Sequence, residues 1–130
     1  MNNQEKVWAL LEQLNIVVMY DANIKRQAVV TDFKELDDTI HKVIIVNPKT
    51  LSSDKLPYFL AHEAAHLILG HKSNSIKHEA EANRWAIKFL ASDVDHIRSY
   101  VEFMQINGIP GKLLDLVQDV LTPIVLSRVE

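Results

Sequence analysis

The sequence predicts an α+β protein: an N-terminal helix, a small three-stranded sheet, and then a helical part. Two observations predict this order. Short segments rich in β-branched residues occur only in the first half of the chain. After Ser53 they stop, and apolar residues recur at the spacing of helices. With 130 residues, 48% of them hydrophobic, we expect one domain that spans residues 1–130 and has its own core.

The first half is predicted to contain one helix and three strands. Apolar residues at helical spacing predict a helix from Asn3 to Leu14. The predicted strands are short and rich in Val and Ile, and they comprise Ile16–Tyr20, Ala28–Thr31 and Val43–Val46. Asn47-Pro48 ends the last strand. These segments are expected to form one small sheet.

The second half is predicted to contain four helices, whose bounds follow from caps, glycines and prolines. Ser53 is the predicted N-cap of the first helix, which runs to about Leu69 and is followed by Gly70. Because Pro57 falls in its first turns, the alternative is a regular helix that begins only at Pro57. The other three cover about Ile76 to Ala91, Ser92 to Asn107 and Pro110 to Leu121. Thr122-Pro123 is the predicted end of the last helix.

Composition excludes several classes of protein. Cysteine is absent, which rules out a disulfide scaffold and a thiolate metal site. A net charge of -3 is a poor match to direct nucleic-acid binding, which depends on neutralising phosphates. The longest aliphatic stretches are too short to span a bilayer, and the first residues lack the basic and apolar regions of a signal peptide. We therefore expect a cytoplasmic protein with no membrane contact.

His62-Glu63-Ala64-Ala65-His66 is an HExxH motif inside the first of these four helices. Histidines four residues apart lie on one face of a helix, so both imidazoles can bind one metal ion. Glu63 lies about 100° from His62 and about 60° from His66 around the helix, where a base for a metal-bound water is needed. Glu63 is also the only permanently charged side chain between Leu56 and Gly70. In such an apolar stretch, a lone carboxylate is costly without a cation.

A catalytic zinc ion held by two histidines needs a third protein ligand and an open position for water. The downstream candidates are His71, His78, Glu79, Glu81 and His96. His71 lies five residues after His66, a spacing that does not fit the third histidine of a metzincin. We therefore expect His71 to support a ligand or to cap the helix without binding the metal. His78 is expected to pack, and His96 to lie on the surface.

Helix phase separates the two glutamates of the next helix. At 100° per residue, Glu79 points into the middle of an apolar arc shared with Ile76, Asn83, Ala86, Ile87 and Leu90. A carboxylate aimed at the core needs a cation, so Glu79 is the predicted third ligand. Glu81 falls on the opposite side with Lys77, Arg84 and Lys88, where we expect a solvated carboxylate with local ion pairs. Asn83 is predicted to hydrogen-bond a ligand without reaching the metal.

The stretch from Val43 to about Ala91 resembles the ImmA/IrrE family of zinc metallopeptidases. The family pattern is a strand followed by Asn-Pro, then AHExxHxxLGH, then ExEANxFAxxLL. In this sequence these elements are Asn47-Pro48, Ala61–His71 and Glu79–Leu90. Ala64-Ala65 stands where the family often has Leu-Gly, and Trp85 replaces a usual Phe. Neither departure removes a ligand or the base.

The resemblance implies a single-domain, gluzincin-like zinc peptidase, with Zn²⁺ bound by His62, His66 and Glu79 and with Glu63 as the general base. Family members often act on a helix-turn-helix repressor of a phage or mobile element, so the implied partner is a separate repressor protein. Two alternatives stay open. The first is a non-proteolytic zinc-binding regulator that inactivates a repressor by binding it, and the second is a structural zinc domain.

Overall fold

A computed structural model describes residues 2–73, 75–92 and 99–129 of the chain, with side chains described up to residue 125. Within these ranges it contains five α-helices, two short 3₁₀ turns and one three-stranded sheet, which confirms the predicted α+β class. The chain divides into two compact units, Met1–Ser53 and Asp54–Glu130. The single domain expected from the chain length stays a prediction.

The first unit consists of one helix and the sheet. Its elements are helix α1 (Asn3–Gln13) and strands β1 (Ile16–Tyr20), β2 (Ala28–Lys34) and β3 (Ile40–Val46). β3 is the central strand, and β1 pairs with it in parallel while β2 pairs with it antiparallel. The helix packs against β1. All three predicted strands are confirmed, and β1 has the predicted bounds.

The hairpin of β2 and β3 extends beyond the predicted strands by three residues on each side. Asp32 and Lys42 face each other in this extension, and Lys42 Nζ donates to Asp32 Oδ1 at 2.9 Å. Opposite charges directly across two strands stabilise the pairing, although they break the apolar pattern by which strands are recognised in a sequence. Val43, Ile44 and Val46 are buried, as expected of a central strand.

The second unit contains the remaining helices, which are α2 (Leu56–Ile68), α3 (Ile76–Ala91), α4 (Tyr100–Asn107) and α5 (Leu114–Val129). α3 has the predicted bounds, and the Ser75 side chain caps it by accepting a hydrogen bond from the His78 N–H. α3 packs against α2 and α5, and α4 contacts α2 and α5. No helix in the described ranges is long and apolar enough to cross a membrane.

The end of α2 agrees with the prediction, and its start agrees with the later start that Pro57 indicated and not with a cap at Ser53. Ser53–Lys55 form a 3₁₀ turn instead of a cap, and α2 begins at Leu56 with Pro57 as its second residue. Proline fits there because a first-turn N–H has no partner in the helix. Gly70 follows the C-cap Leu69 with φ of 71°, the left-handed conformation that glycine adopts without strain.

The predicted bounds of the last two helices are partly wrong. The helix expected from Ser92 begins, among the described residues, after its cap Ser99, and residues 93–98 lie outside the described ranges. The last helix does not end at Leu121 but continues through Pro123. Pro123 is exposed, so water can bond the carbonyl that loses its helical partner, and the helix tolerates the proline.

Helix phase placed the buried face of α3 correctly in its later turns, but not in its first turn. Ala86, Ile87 and Leu90 are fully buried, as predicted, and Ala82 is buried with them. Ile76 is instead 91% exposed. Periodicity identifies the side of a helix that faces the core, but not how far along that side the neighbouring helices reach.

Candidate metal centre

Three predicted ligands converge where α2 packs against α3. Nε2 of His62 lies 3.0 Å from Oε2 of Glu79, and Nε2 of His66 lies 3.0 Å from Oε1 of Glu79. The two imidazole Nε2 atoms lie 3.2 Å apart. A tetrahedral Zn²⁺ ion with bonds of about 2.0–2.1 Å holds its ligand atoms about 3.3–3.4 Å apart. The two histidines contact different oxygens of Glu79, but the donor set and the distance between the imidazole nitrogens are close to those of a zinc site, so these side chains could hold a metal ion.

The burial of the three side chains is uneven. Side chains of His62 and His66 are 12% and 14% exposed, whereas that of Glu79 is 40% exposed. Glu79 thus faces α2 as helix phase predicted, but it lies at the rim of the helix contact and not in the core. Because of this rim position, solvent can reach the cluster from the side of Glu79.

Glu63 is half-buried on the same helix as the two histidines. Burial raises the pKa of Glu63 from 4.5 to about 7, and the Glu79 charge acts in the same direction. Burial also lowers the pKa of His62, with Glu79 opposing that shift. A neutral imidazole is the form that binds a metal. A cation among these groups would favour the ionised carboxylate of Glu63.

Asn83 lies beside His62, and Tyr58 holds its amide. The Tyr58 hydroxyl donates to Asn83 Oδ1 at 2.5 Å, and a hydrogen bond with Asn83 acts to raise the pKa of His62. Tyr58 is only 7% exposed. The sequence placed Asn83 on the correct face of α3, but it gave no sign of the bond to Tyr58, which joins two helices.

His71 contacts the far side of the His66 ring. Their Nδ1 atoms lie 2.9 Å apart, so His71 reaches the nitrogen of His66 that does not face Glu79. The structure therefore brings His71 to the cluster behind a predicted ligand, where the sequence led us to expect it. The equivalent Nδ1 of His62 is buried and has no hydrogen-bond partner among the described residues.

Glu81 is solvated as predicted, but among the described residues it does not form the expected ion pairs within α3. Its carboxylate is 43% exposed, but it lies 3.7 Å from Nε2 of His71. Arg84 instead pairs with Asp119 of α5, with Nη2 and Oδ2 2.6 Å apart. Helix phase indicates neighbours within one helix only. It therefore cannot indicate His71, which follows α2, or Asp119, which lies on α5.

Among the described residues, the remaining histidine candidate, His78, lies apart from the three predicted ligands. His78 stacks on His71 with ring centroids 4.1 Å apart, and its Nδ1 lies 3.1 Å from Ser73 Oγ. His96 lies outside the described residues. Packing of His78 was expected from the sequence, whereas its contact with Ser73 was not.

Comparisons of the chain with models of known protein families, with curated proteins and with solved structures found no match.

Proposed function

We propose that the chain is a zinc-dependent metallopeptidase. One observation carries this proposal: Nε2 of His62, Nε2 of His66 and the carboxylate of Glu79 form a triangle, in which the two nitrogens lie 3.2 Å apart and each lies 3.0 Å from a different carboxylate oxygen. Two imidazoles and one carboxylate are the protein ligands of known catalytic zinc sites. The resemblance of the motifs to the ImmA/IrrE family supports the same residues by a separate argument.

Three protein ligands leave one tetrahedral position open, which favours a catalytic site over a structural one. Among the described residues, His71 is the imidazole that lies against His66, but its Nδ1 faces Nδ1 of His66 and not the triangle. This contact argues against His71 as a fourth ligand that would close the site. The structural zinc domain is therefore the weaker alternative.

The residues of the site have separate roles in the proposed hydrolysis. His62, His66 and Glu79 would hold Zn²⁺, which supplies Lewis acidity for an attacking water and for the carbonyl of the scissile bond. The Glu63 carboxylate would accept a proton from that water and then deliver it to the leaving amine. The half-buried position of Glu63 next to the triangle supports this role.

The proposed substrate is a separate helix-turn-helix repressor of a phage or mobile element, in the cytoplasm. The family resemblance supports this substrate class. The net charge of -3 favours action on the repressor protein over contact with its operator DNA. The alternative, a regulator that inactivates the repressor by binding alone, shares the metal site but predicts no cleavage.

Metal content is the first test of the proposal. Elemental analysis of the purified chain should find one zinc per chain. His62→Ala and His66→Ala should each retain less than about a tenth of an equivalent, because each removes a ligand. An equally low content in the wild-type chain after zinc is supplied would contradict the proposal.

Cleavage is the second test. The zinc-loaded chain is incubated with helix-turn-helix repressors encoded beside its gene, and with a library of proteome-derived peptides. Mass spectrometry should find new peptide termini with the wild type and none with Glu63→Gln. A repressor that keeps its full mass but leaves its operator would instead favour the binding regulator.

A further inference from the structure

We propose that His71 and Glu81 are a positioning pair for His66, and that they act by fixing which nitrogen of the His66 ring carries the proton. This inference rests on the proposed function, since His66 is a ligand only if the site binds zinc. It assigns a role to Glu81, for which the sequence indicated only a solvated surface position.

The contact between His66 and His71 requires one donor and one acceptor. Their Nδ1 atoms lie 2.9 Å apart, so one of them carries the shared proton. A neutral His66 that binds a metal through Nε2 must carry its proton on Nδ1. His66 is then the donor and His71 the acceptor. A neutral His71 that accepts at Nδ1 must carry its own proton on Nε2.

Glu81 is placed to favour that form of His71. Its Oε2 lies 3.7 Å from His71 Nε2, and the His71 side chain is only 5% exposed. A negative charge at this end of the ring attracts the proton to Nε2 and keeps Nδ1 free to accept. The distance exceeds that of a direct hydrogen bond, so the effect should be smaller than that of removing His71 itself.

The backbone at the end of α2 explains why His71 lies against His66. Gly70 has φ of 71°, the His71 N–H donates to the His66 carbonyl at 2.9 Å, and the Gly70 N–H donates to the Leu67 carbonyl at 3.2 Å. This pattern is a Schellman motif, which reverses the chain at a helix end. This well-defined helix cap therefore places the ring of His71 against the ring of His66.

The main alternative role for His71 and Glu81 is to bind a second metal ion together with His78. One ligand atom from each of His71, His78 and Glu81 lies within 4.8 Å of the others. The two imidazoles, however, are stacked with an interplanar angle of 10° and centroids 4.1 Å apart. The lone pair of a ring nitrogen lies in the ring plane, so two parallel stacked rings do not point at one ion. The contact of His78 with Ser73 also engages its Nδ1.

The tautomers can be measured in the zinc-loaded chain without any substrate. Without zinc, Oε1 of Glu79 lies 3.0 Å from Nε2 of His66 and would itself attract the ring proton to that nitrogen. Long-range ¹H–¹⁵N correlation spectra of the zinc-loaded full-length chain, at a pH where the histidines are neutral, report which nitrogen of each ring is protonated. We expect the proton on Nδ1 of His66 and on Nε2 of His71, and a proton on Nδ1 of His71 would overturn the proposal. A chain that binds no zinc would instead contradict the proposed function, so the two failures are distinguishable.

Zinc affinity tests the pair in a second way. His71→Leu should weaken zinc binding by about 10–100-fold, the range found when a side chain that orients a ligand is lost. His71→Asn should recover most of that loss, because its Oδ1 can accept from His66 where Nδ1 did. Glu81→Gln should weaken binding by a smaller factor, about 2–10-fold. Glu102→Gln removes an exposed carboxylate from α4 and serves as the matched control, with no change expected.

A double substitution identifies the route by which Glu81 acts. In the His71→Asn chain, which lacks the nitrogen that faces Glu81, Glu81→Gln should have no further effect. An equal loss in both backgrounds would overturn the proposal. So would a second equivalent of zinc in the wild type that is lost in His71→Leu, since that result assigns the residues to a metal site. If His71→Leu does not fold, the tautomer spectra and His71→Asn still decide.

Discussion

The substitution Glu79→Gln tests the third ligand most directly. Each carboxylate oxygen of Glu79 lies 3.0 Å from Nε2 of one histidine. Glutamine keeps the length of the side chain but offers one oxygen instead of two and carries no charge. Its amide nitrogen is a donor with no free lone pair for a metal. We therefore expect His62 and His66 to remain in place while the anionic ligand is lost.

The size of the effect follows from the role of the side chain. Loss of a residue that only orients a ligand costs about 10–100-fold in metal affinity. Loss of a ligand should cost at least the upper end of that range, so about 100-fold is the lower bound for Glu79→Gln. Since each factor of ten is about 1.4 kcal/mol, the lower bound is about 2.8 kcal/mol. The 40% exposure of Glu79 screens its charge, so we expect a loss of about 100–1,000-fold.

Competition with a chromogenic chelator at fixed pH measures this affinity, because protonation of the ligands shifts the apparent value. Circular dichroism of the zinc-free chains shows whether each variant is folded. Glu102→Gln again provides the matched control, and Glu81→Gln provides a second comparison on the same helix. A folded Glu79→Gln chain that binds zinc within about threefold of the wild type would refute the assignment of Glu79 as a ligand.

Three further predictions concern the base and the helix ends. Glu63→Gln should retain its zinc by chelator competition but lower the cleavage rate by at least about 100-fold, since the amide cannot accept a proton; an unchanged rate would exclude Glu63 as the base. In the zinc-free chain, the pKa of Glu63 is raised from 4.5 to about 7, so its ionisation removes stability as the pH rises through that range. Urea denaturation at pH 5 and pH 8 should therefore show that the free energy of unfolding of Glu63→Gln, relative to that of the wild type, rises by up to about 3 kcal/mol from the lower to the higher pH. A difference between the two chains that does not change with pH would contradict this. Gly108→Ala should lower the free energy of unfolding more than Gly70→Ala, because both have φ of 71° but a Cβ at Gly108 would overlap the backbone of Asp54 and Lys55; equal losses in urea denaturation would show that the overlap is relieved.

Local sequence signals predicted α3 well, and they also predicted that the two histidines of HExxH share one face of α2. The bounds of α3 follow from Ser75 as a cap, and the histidines of HExxH share a face because of helix geometry alone. Helix phase also suffices to put Glu79 on the side of α3 that packs against α2. In each case the deciding information lies within one or two turns of a single helix.

The contacts that the sequence could not predict join separate elements. The bond between Tyr58 and Asn83 depends on how two helices pack, and the approach of Glu81 to His71 depends on the chain reversal after α2. The continuation of α5 through Pro123 is a third example. A proline usually marks a helix end, but at an exposed position the cost of one lost hydrogen bond can be outweighed by the rest of the helix.

The position of Glu79 in the first turn of α3 has a consequence for local opening of the chain. First turns fray most readily, because their N–H groups have no partners within the helix. Zinc bound by Glu79 and the two histidines of α2 would tie this turn to a neighbouring helix across a short loop. Amide hydrogens of residues 80–83, whose partners lie in that turn, should therefore exchange faster when a chelator removes the metal. Those near the fully buried Leu90 should keep their protection, so exchange rates would report metal occupancy at one end of a single helix.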